Sequence, residues 1–291
     1  MATKMTLSAI PVAIRYILLS ALGFALMSAC VKTVAGYGIP VLEIIAARAA
    51  VSLLLSYADV KRKRLSVWGH NHPLLVARGS VGTLALVCIY YAVSTLPLAD
   101  ATVLQYTHPA FTAILALFFL GEPVKRSTVL CIALSFIGLI VMVRPGASGA
   151  MLGLPPLSVM AALIGAFGSA VAYVIVRRLS QTEDSSVIIF YFPLIALPIS
   201  LLLLGNNFVF PDPNALLLLL LVGVFTQVGQ VGLTKAMAAE KAGKVTSYSY
   251  VQVIFSAILG VAFFGELPTL WTLIGGTLII SGALVNALWK S

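Results

Sequence analysis

The sequence predicts an all-α integral membrane protein with ten transmembrane helices arranged as two inverted five-helix repeats. Of the 291 residues, 60% are apolar and only 9% are charged, which leaves too few ionisable side chains to cover a water-soluble domain. Apolar stretches about as long as the roughly 20 residues that a helix needs to cross a bilayer recur along the whole chain. The two halves of the chain also align with each other.

Short segments rich in glycine, proline and charged residues separate the apolar stretches. We predict ten transmembrane helices, which cover residues 13–35, 41–58, 74–94, 100–120, 127–144, 157–177, 186–204, 215–235, 245–263 and 269–289. These ten helices take up most of the chain.

Lysine and arginine residues lie mainly in alternate loops. If the N-terminus is cytoplasmic, the loops after the even-numbered helices hold Lys61, Arg62, Lys63, Arg64, Lys125, Arg126, Arg177, Arg178, Lys241 and Lys244. The opposite loops hold Arg144 and little else. Because cytoplasmic loops carry an excess of basic residues, both termini are predicted to be cytoplasmic, in a plasma (inner) membrane. The run from Lys61 to Arg64 indicates an anchor at the lipid bilayer rather than a nucleic-acid site, because apolar spans flank it.

A shift of 144 residues aligns two long stretches of the sequence without a gap. The matched pairs include Thr102 with Thr246, Tyr106 with Tyr250, and Gly121-Glu122 with Gly265-Glu266. Apolar composition alone would not align these residue types in one register. We therefore predict a first repeat over residues 13–144, a linker over 145–156 and a second repeat over 157–289. Each repeat has an odd number of helices, so the second enters the membrane in the opposite orientation, as is common in secondary transporters.

Paired motifs follow the fourth and ninth predicted helices. They are Phe119-Leu120-Gly121-Glu122-Pro123 and Phe264-Gly265-Glu266-Leu267-Pro268. Two further features are the stretch Leu96-Pro97-Leu98-Ala99-Asp100-Ala101-Thr102, which leads to Pro109, and Arg48 in the second helix. With these motifs the chain resembles the tandem EamA domains of the drug/metabolite transporter superfamily. The resemblance implies a central cavity walled chiefly by the first, third, fourth, sixth, eighth and ninth helices, and alternating access. Members of the superfamily export amino acids or carry S-adenosylmethionine, nucleotide sugars, riboflavin or drugs, so the resemblance leaves the solute open.

Basic residues inside the predicted helices are candidates for contact with a solute. Arg48 lies near the middle of the second helix, where a charge costs at least about 2.5 kcal/mol unless it has a partner or a wet cavity. A role in the cavity and a structural role, such as pairing with Glu43, are both open. Arg78 and Lys235 lie at cytoplasmic helix ends, so we expect their side chains to extend toward the membrane surface.

Polar side chains recur along the fourth and ninth helices at helical spacing, and others lie on the walls that the resemblance implies. Such groups would lack hydrogen-bond partners in lipid, so they face either a cavity or other helices. The candidate substrate-binding residues are Arg48, Tyr90, Tyr91, Gln105, Tyr106, His108, Gln227, Gln230, Ser249, Tyr250 and Gln252.

The sequence lacks the motifs of ATP-driven pumps and of common enzymes. Gly243-Lys244 is followed by Val245 and has no upstream glycine, so it is not a phosphate-binding loop. The cysteines show no metal-ligand spacing, and we predict no catalytic residue, metal or cofactor. A secondary transporter is therefore favoured over the alternatives of an intramembrane enzyme or a channel.

The predicted solute follows from the charge near the helix centres. Arg48 is the only basic residue there, and one positive charge among tyrosine, threonine and glutamine side chains suits a single carboxylate. We therefore predict an amino acid or a similar zwitterion or monocarboxylate, transported outward. The alternatives are S-adenosylmethionine, a drug or a nucleotide sugar.

Energy coupling depends on groups that can carry a proton or a cation. The acidic residues considered all lie in loops or near helix ends, which favours facilitated diffusion or exchange. His108 is the one side chain in a helix interior that can change charge in the physiological pH range. Proton coupling through His108 and a neutral hydrogen-bonding role before Pro109 are both open, and the second is favoured.

Overall fold

The computed structural model describes residues 12–122, 126–143, 154–249, 251–266 and 269–289, which form helices and short connections without any β-strand. Within these residues the helices are α1 (Val12–Gly36), α2 (Val41–Arg62), α3 (His72–Thr95), α4 (Leu98–Gln105), α5 (His108–Leu120), α6 (Arg126–Val143), α7 (Pro156–Leu179), α8 (Ser185–Leu204), α9 (Pro213–Ala239), α10 (Ala242–Tyr248), α11 (Val251–Phe264) and α12 (Leu270–Leu288). Most of the predicted linker and Arg144 lie outside the described residues.

Seven helical stretches among the described residues are long and apolar enough to cross a membrane. They are α1, α2, α3, α7, α8, α9 and the stretch from Ala242 to Phe264. Large apolar side chains point outward, and Phe118, Leu202 and Phe210 are among the most exposed. An apolar outer surface on an all-helical bundle is typical of a protein whose solvent is lipid. The prediction of an all-α integral membrane protein is thus confirmed.

The fourth predicted span is not one helix, and this corrects the prediction for residues 100–120. Helix α4 ends at Gln105 and α5 begins at His108. Pro109 explains the break, because proline has no N–H to donate and its ring clashes with the carbonyl four residues earlier, which is that of Gln105. The break turns the side chains around it out of the regular helical order.

The ninth predicted span, residues 245–263, is also in two pieces. Helix α10 ends at Tyr248 and α11 begins at Val251, and no proline stands at the equivalent position. Ser249 follows α10, and its hydroxyl donates to the carbonyl oxygen of Thr246 at 2.7 Å. A proline therefore accompanies only one of the two equivalent breaks.

Equivalent helices of the two predicted repeats make equivalent contacts. Helix α1 packs on α9 and α11, and α7 packs on α3 and α5. The second helices of the repeats, α2 and α8, pack on each other, as do the last helices, α6 and α12. Each half therefore contacts the other through the same set of helices.

A polar cluster joins the α2–α3 loop to the α7–α8 loop. An ion pair links the loops, with Lys63 Nζ 3.1 Å from Oδ1 of Asp184. Two hydrogen bonds of 2.6 Å also link them, because the backbone N–H groups of His70 and Asn71 donate to the Glu183 carboxylate. Burial raises the pKa of the Glu183 carboxyl, but the donated N–H groups outweigh it and hold the pKa below its usual range. The basic run of the α2–α3 loop therefore contacts the second half of the chain.

Helices α1 and α9 approach each other closely where α9 carries glycine. A Cβ atom added to Gly232 would lie 2.5 Å from the carbonyl oxygen of Tyr16 and 2.9 Å from the backbone nitrogen of Ser20. Both contacts are with backbone atoms of α1, which cannot turn away as a side chain does. Glycine at this position therefore sets the distance between the two helices.

We expect Gly232→Ala to destabilise the detergent-purified protein by about 1 to 3 kcal/mol, because overpacking pushes α1 away from α9. Gly276→Ala in α12 is the matched control, since a Cβ atom there meets nothing within 4 Å. Thermal unfolding of both variants beside the unsubstituted protein measures the effect. Equal melting temperatures for the two variants would contradict the close approach.

Candidate functional site

A cavity lies between the two halves of the helical bundle. It encloses about 620 Å³ of space not filled by atoms, including the open solvent at its mouth. All six walls implied by the resemblance contribute side chains, and α2 and α8 add Arg48 and Phe192. Its remaining lining residues are Phe24, Met27, Ser28, Arg78, Gly82, Ala85, Leu86, Ile89, Tyr90, Gln105, Tyr106, His108, Ser169, Ala172, Tyr173, Gln230 and Gln252.

Seven of the eleven candidate residues line this cavity, and they are Arg48, Tyr90, Gln105, Tyr106, His108, Gln230 and Gln252. Tyr91, Gln227 and Ser249 do not line it. Tyr250 lies outside the described residues. The structure therefore brings together candidates from both halves of the chain.

The side chains of the three candidates outside the cavity lining, Tyr91, Gln227 and Ser249, have different surroundings. Tyr91 follows Tyr90 on the same helix, so its side chain points about 100° away around the axis. Gln227 accepts a hydrogen bond from the Ser56 hydroxyl at 3.4 Å, toward α2. Ser249 closes the end of α10. Gln227 and Ser249 therefore make hydrogen bonds inside the bundle.

Arg48 projects into the cavity from α2 and is only 2% exposed. Its guanidinium carbon lies 5.0 Å from the centroid of the Phe192 ring and 5.6 Å from that of Tyr90. Its Nε and Nη1 atoms have no hydrogen-bond partner among the described residues. Glu43, the partner considered from the sequence, instead accepts a bond from the backbone N–H of Val209 at 2.9 Å. Arg48 is therefore held by aromatic faces and not by a carboxylate.

Arg78 also lines the cavity, which corrects the expectation that it reaches the membrane surface. It is 3% exposed, and its guanidinium carbon lies 4.7 Å from the centroid of the Phe192 ring. Its Nη2 atom is 3.4 Å from Oε1 of Gln230, while Nε and Nη1 lack partners among the described residues. Gly82 makes this conformation possible, because a Cβ there would collide with Nη1 of Arg78. An arginine followed by glycine one helical turn later is the sequence signal that could have identified it.

The two arginines place two positive charges against one ring. Each guanidinium carbon is within 5.0 Å of the Phe192 centroid, so the charges are at most about 10 Å apart and repel each other by about 1.7 kcal/mol or more at an effective dielectric constant of about 20. All nine acidic residues of the chain are described, and none lines the cavity. The cavity is therefore an electropositive site.

Neutral polar and aromatic groups complete the lining near the helix breaks. The Tyr106 hydroxyl donates to Oε1 of Gln252 at 2.5 Å and links the break in the fourth span to α11. The ring of His108 lies 5.1 Å from the Tyr106 ring and 5.0 Å edge-on from the Tyr173 ring. Gln105 adds a further amide. These groups offer aromatic faces and hydrogen-bond acceptors that suit a cation such as an ammonium group.

Residues related by the shift of 144 meet in the cavity. The pairs are Ser28 with Ala172, Arg48 with Phe192, Leu86 with Gln230, and His108 with Gln252. Within each pair the residue types differ. The halves therefore supply equivalent positions to the cavity but different chemistry.

An ion pair lies beyond the cavity at the end of the bundle where α3 leads into α4. Lys32 Nζ is 2.7 Å from Oε1 of Glu266 and also donates to the carbonyl oxygen of Leu96 at 2.7 Å. The other oxygen of Glu266 accepts the backbone N–H of Leu98 at 2.9 Å. These bonds connect α1, the α3–α4 turn and the residues after α11.

A similar ion pair, with the equivalent glutamate, lies at the other end of the bundle, near the α2–α3 loop. Arg177 Nε is 3.0 Å from Oε1 of Glu122, and its Nη1 donates to the carbonyl oxygen of Met237 at 2.8 Å. Gly121 and Gly265 both have φ of +64°, and the following glutamates bond back to Ala116 and Gly260 in the same six-residue pattern. The Gly-Glu motif thus ends each helix and presents a carboxylate to a cation of another helix.

Among the described residues, no group of three or more His, Cys, Asp or Glu side chains is placed to hold a metal ion. The three cysteines lie on three different helices, α1, α3 and α6. The cavity therefore has to be interpreted from its arginine, aromatic and amide groups.

Comparisons with known proteins agree with this architecture. The profile of the EamA-like transporter family matches residues 11–144 and 156–288. The pseudopaline exporter CntI of Pseudomonas aeruginosa is 33% identical over 263 residues, which cover 90% of this chain and 91% of the exporter. Solute carrier family 35 member G1 of Homo sapiens is 31% identical over 285 residues, which cover 94% of this chain and 77% of the carrier. A crystal structure that is 19% identical shares the fold, with a TM-score of 0.70 over 93% of this chain and 96% of the other.

The arrangement of the arginines generates a prediction about stability. We expect Arg78→Met to raise the melting temperature of the detergent-purified, ligand-free protein, because a flexible apolar side chain removes both the repulsion and a buried cation. The gain expected for such a replacement is about 1 to 4 kcal/mol. Arg178→Met, at an exposed position on α7, is the control and should change little. A melting temperature below that of the control would contradict the presence of an uncompensated charge at Arg78.

Proposed function

Because the chain belongs to the EamA-like transporter family, we propose that it is a secondary carrier that exports a small organic zwitterion bearing a carboxylate, such as an amino acid. The family and the relatives named above are transporters rather than enzymes, and they imply a small-molecule substrate and a chain embedded in the membrane. The cavity is the observation that supports the choice of solute and the coupling.

The electropositive cavity supports the choice of solute. Arg48 and Arg78 present unpaired N–H groups to the cavity, and a guanidinium donates charge-assisted hydrogen bonds to a carboxylate. The rings of Tyr106 and Tyr173 and the nearby glutamine amides suit an ammonium group. A zwitterion uses both parts of the lining. A cationic solute such as S-adenosylmethionine or a basic drug would meet two positive charges, so it is the less favoured alternative.

The direction of transport is supported by a relative. The pseudopaline exporter CntI aligns over 90% of this sequence. We propose export across a plasma (inner) membrane with both termini in the cytoplasm, in agreement with the distribution of basic residues between loops.

Alternating access is the mechanism we propose for moving the solute. The predicted repeats, 13–144 and 157–289, contribute equivalent positions to the cavity and similar ion pairs to its two ends. If the Lys32–Glu266 pair opens while the Arg177–Glu122 pair stays closed, the cavity opens to one side only, and the reverse opens it to the other. Ten transmembrane helices follow if the two broken spans each count once. Two ion pairs of similar geometry keep the two states close in free energy.

Exchange of solutes is the coupling mode that the lining favours. The cavity holds no acidic residue that would bind a sodium ion or carry a proton, although all nine such residues are described. His108 is packed between two aromatic rings and is 2% exposed, which suits a neutral role in positioning. Proton coupling through His108 remains the second candidate, because its Nδ1 has no partner among the described residues.

Counterflow in proteoliposomes tests the proposed function. Purified protein should exchange a labelled amino acid or related zwitterion against the same unlabelled solute without ATP, as a screen of radiolabelled metabolites would detect. We expect Arg48→Ala to lower the initial rate about tenfold or more, since a charge-assisted bond to the carboxylate is lost. The exposed Arg178→Ala serves as the control for general damage. A requirement for ATP, or exchange of nucleotide sugars alone, would reject the proposal.

A further inference from the structure

Two cations in the cavity lack protein counter-charges, whereas several cations elsewhere have them. Lys32 forms an ion pair with Glu266, Arg177 with Glu122 and Lys244 with Glu240. Arg48 and Arg78 are more deeply buried than any of these, and yet no acidic residue of the chain lines their cavity. The two most buried cations are therefore available for charges that come from outside the protein.

The donor groups are numerous as well as unpaired. On each guanidinium the Nε atom carries one hydrogen and Nη1 carries two, and neither atom has an acceptor among the described residues. These hydrogens lie on different edges of the guanidinium plane, so each arginine can still donate a charge-assisted hydrogen bond to a carboxylate from either edge. One carboxylate would leave the second guanidinium buried without a counter-charge, which is costly inside a membrane.

From this arrangement we propose that the transported solute carries two carboxylate groups, one bound by Arg48 and the other by Arg78, so that its class is an amino dicarboxylate. This inference rests on the proposed function and makes the solute class narrower. It also replaces the single carboxylate expected from Arg48 alone, because Arg78 doubles the positive charge of the cavity.

The geometry sets the size of the spacer between the two carboxylates. Both guanidinium carbons lie within 5.0 Å of the centroid of the Phe192 ring, so a chain of a few carbons reaches both charges. The ring offers an apolar surface on which such a chain packs. A single phosphate group also carries two charges, but it has no carbon chain to pack on the ring. The observations favour two separated carboxylates.

Matched pairs of ligands test the number of carboxylates directly. The melting temperature of the purified full-length protein is measured against the concentration of glutamate or glutamine, and of aspartate or asparagine, because the members of each pair differ by one charge at nearly constant shape. Ligands that bind the folded state raise the melting temperature by mass action. We expect the two-carboxylate member of at least one pair to bind about tenfold or more tightly than its amide, since a charge-assisted bond is lost in the amide.

Substitution of one arginine gives the result that a merely structural role would not produce. In Arg78→Gln the preference for the two-carboxylate ligand should disappear because the amide now binds as well as the acid, whereas Arg178→Gln should keep the preference. Equal binding within both pairs by the unsubstituted protein, no binding by any of the four ligands, or tighter binding of inorganic phosphate would overturn the inference. Exchange of a solute with one carboxylate in proteoliposomes would also overturn it while leaving the proposed transport function intact. Absence of any exchange would reject the transport function itself.

Discussion

Two guanidinium groups lie against one phenylalanine ring without a carboxylate, inside a bundle whose outer surface is apolar, and the cavity is organised around this constraint. Phe192 and Tyr90 supply aromatic faces to these cations, and Gly82 leaves space for the second of them. Such a site is costly in free energy, because desolvated charges usually require partners. Its cost is consistent with a site whose partner is the solute, because binding sites commonly sacrifice stability for function.

The position of this charge explains why the two halves of the chain are similar but not identical. Arg48 contacts Phe192, which is its own counterpart under the 144-residue shift. Two arginines at these positions would double the charge at the contact, while two phenylalanines would remove it. At the ends of the bundle the two halves are alike. Glu122 and Glu266 are the same residue type, each follows the glycine that ends its helix, and each pairs with a cation of another helix. Asymmetry in the centre suits recognition of a solute, and similarity at the ends suits two states of similar free energy.

Much of the architecture could be predicted from the sequence because length and apolar composition decide whether a helix crosses a membrane. The break in the fourth span was not predicted, although Pro109 carries the signal, because a proline in a membrane helix is also compatible with a continuous, kinked helix. Arg48 was identified since it lies near the centre of its span. Arg78 was not, because its distance from the helix end also fits a side chain that reaches the surface, and only the packing of Phe192 against it decides between these two directions.

The side chains on one helix show the same limit of sequence analysis. Gln227 and Gln230 are three residues apart on α9 and look equivalent as candidates, yet Gln230 lines the cavity and Gln227 contacts Ser56. Helical spacing predicts that two residues share a side of the helix, but the neighbouring helix decides which of them meets the cavity. Tertiary packing of that kind is not encoded in local spacing.

If one cavity opens alternately to the two sides of the membrane, a single cysteine in its wall becomes accessible from each side in turn. Ser169→Cys is introduced into a chain whose Cys30, Cys88 and Cys131 are replaced by serine, and an impermeant thiol reagent is applied from each side of oriented vesicles. The account predicts labelling from both sides. It also predicts that Glu266→Gln increases labelling from the side of the α3–α4 turn and that Glu122→Gln increases it from the side of the α2–α3 loop. Labelling from one side only, unchanged by either substitution, would contradict alternating access.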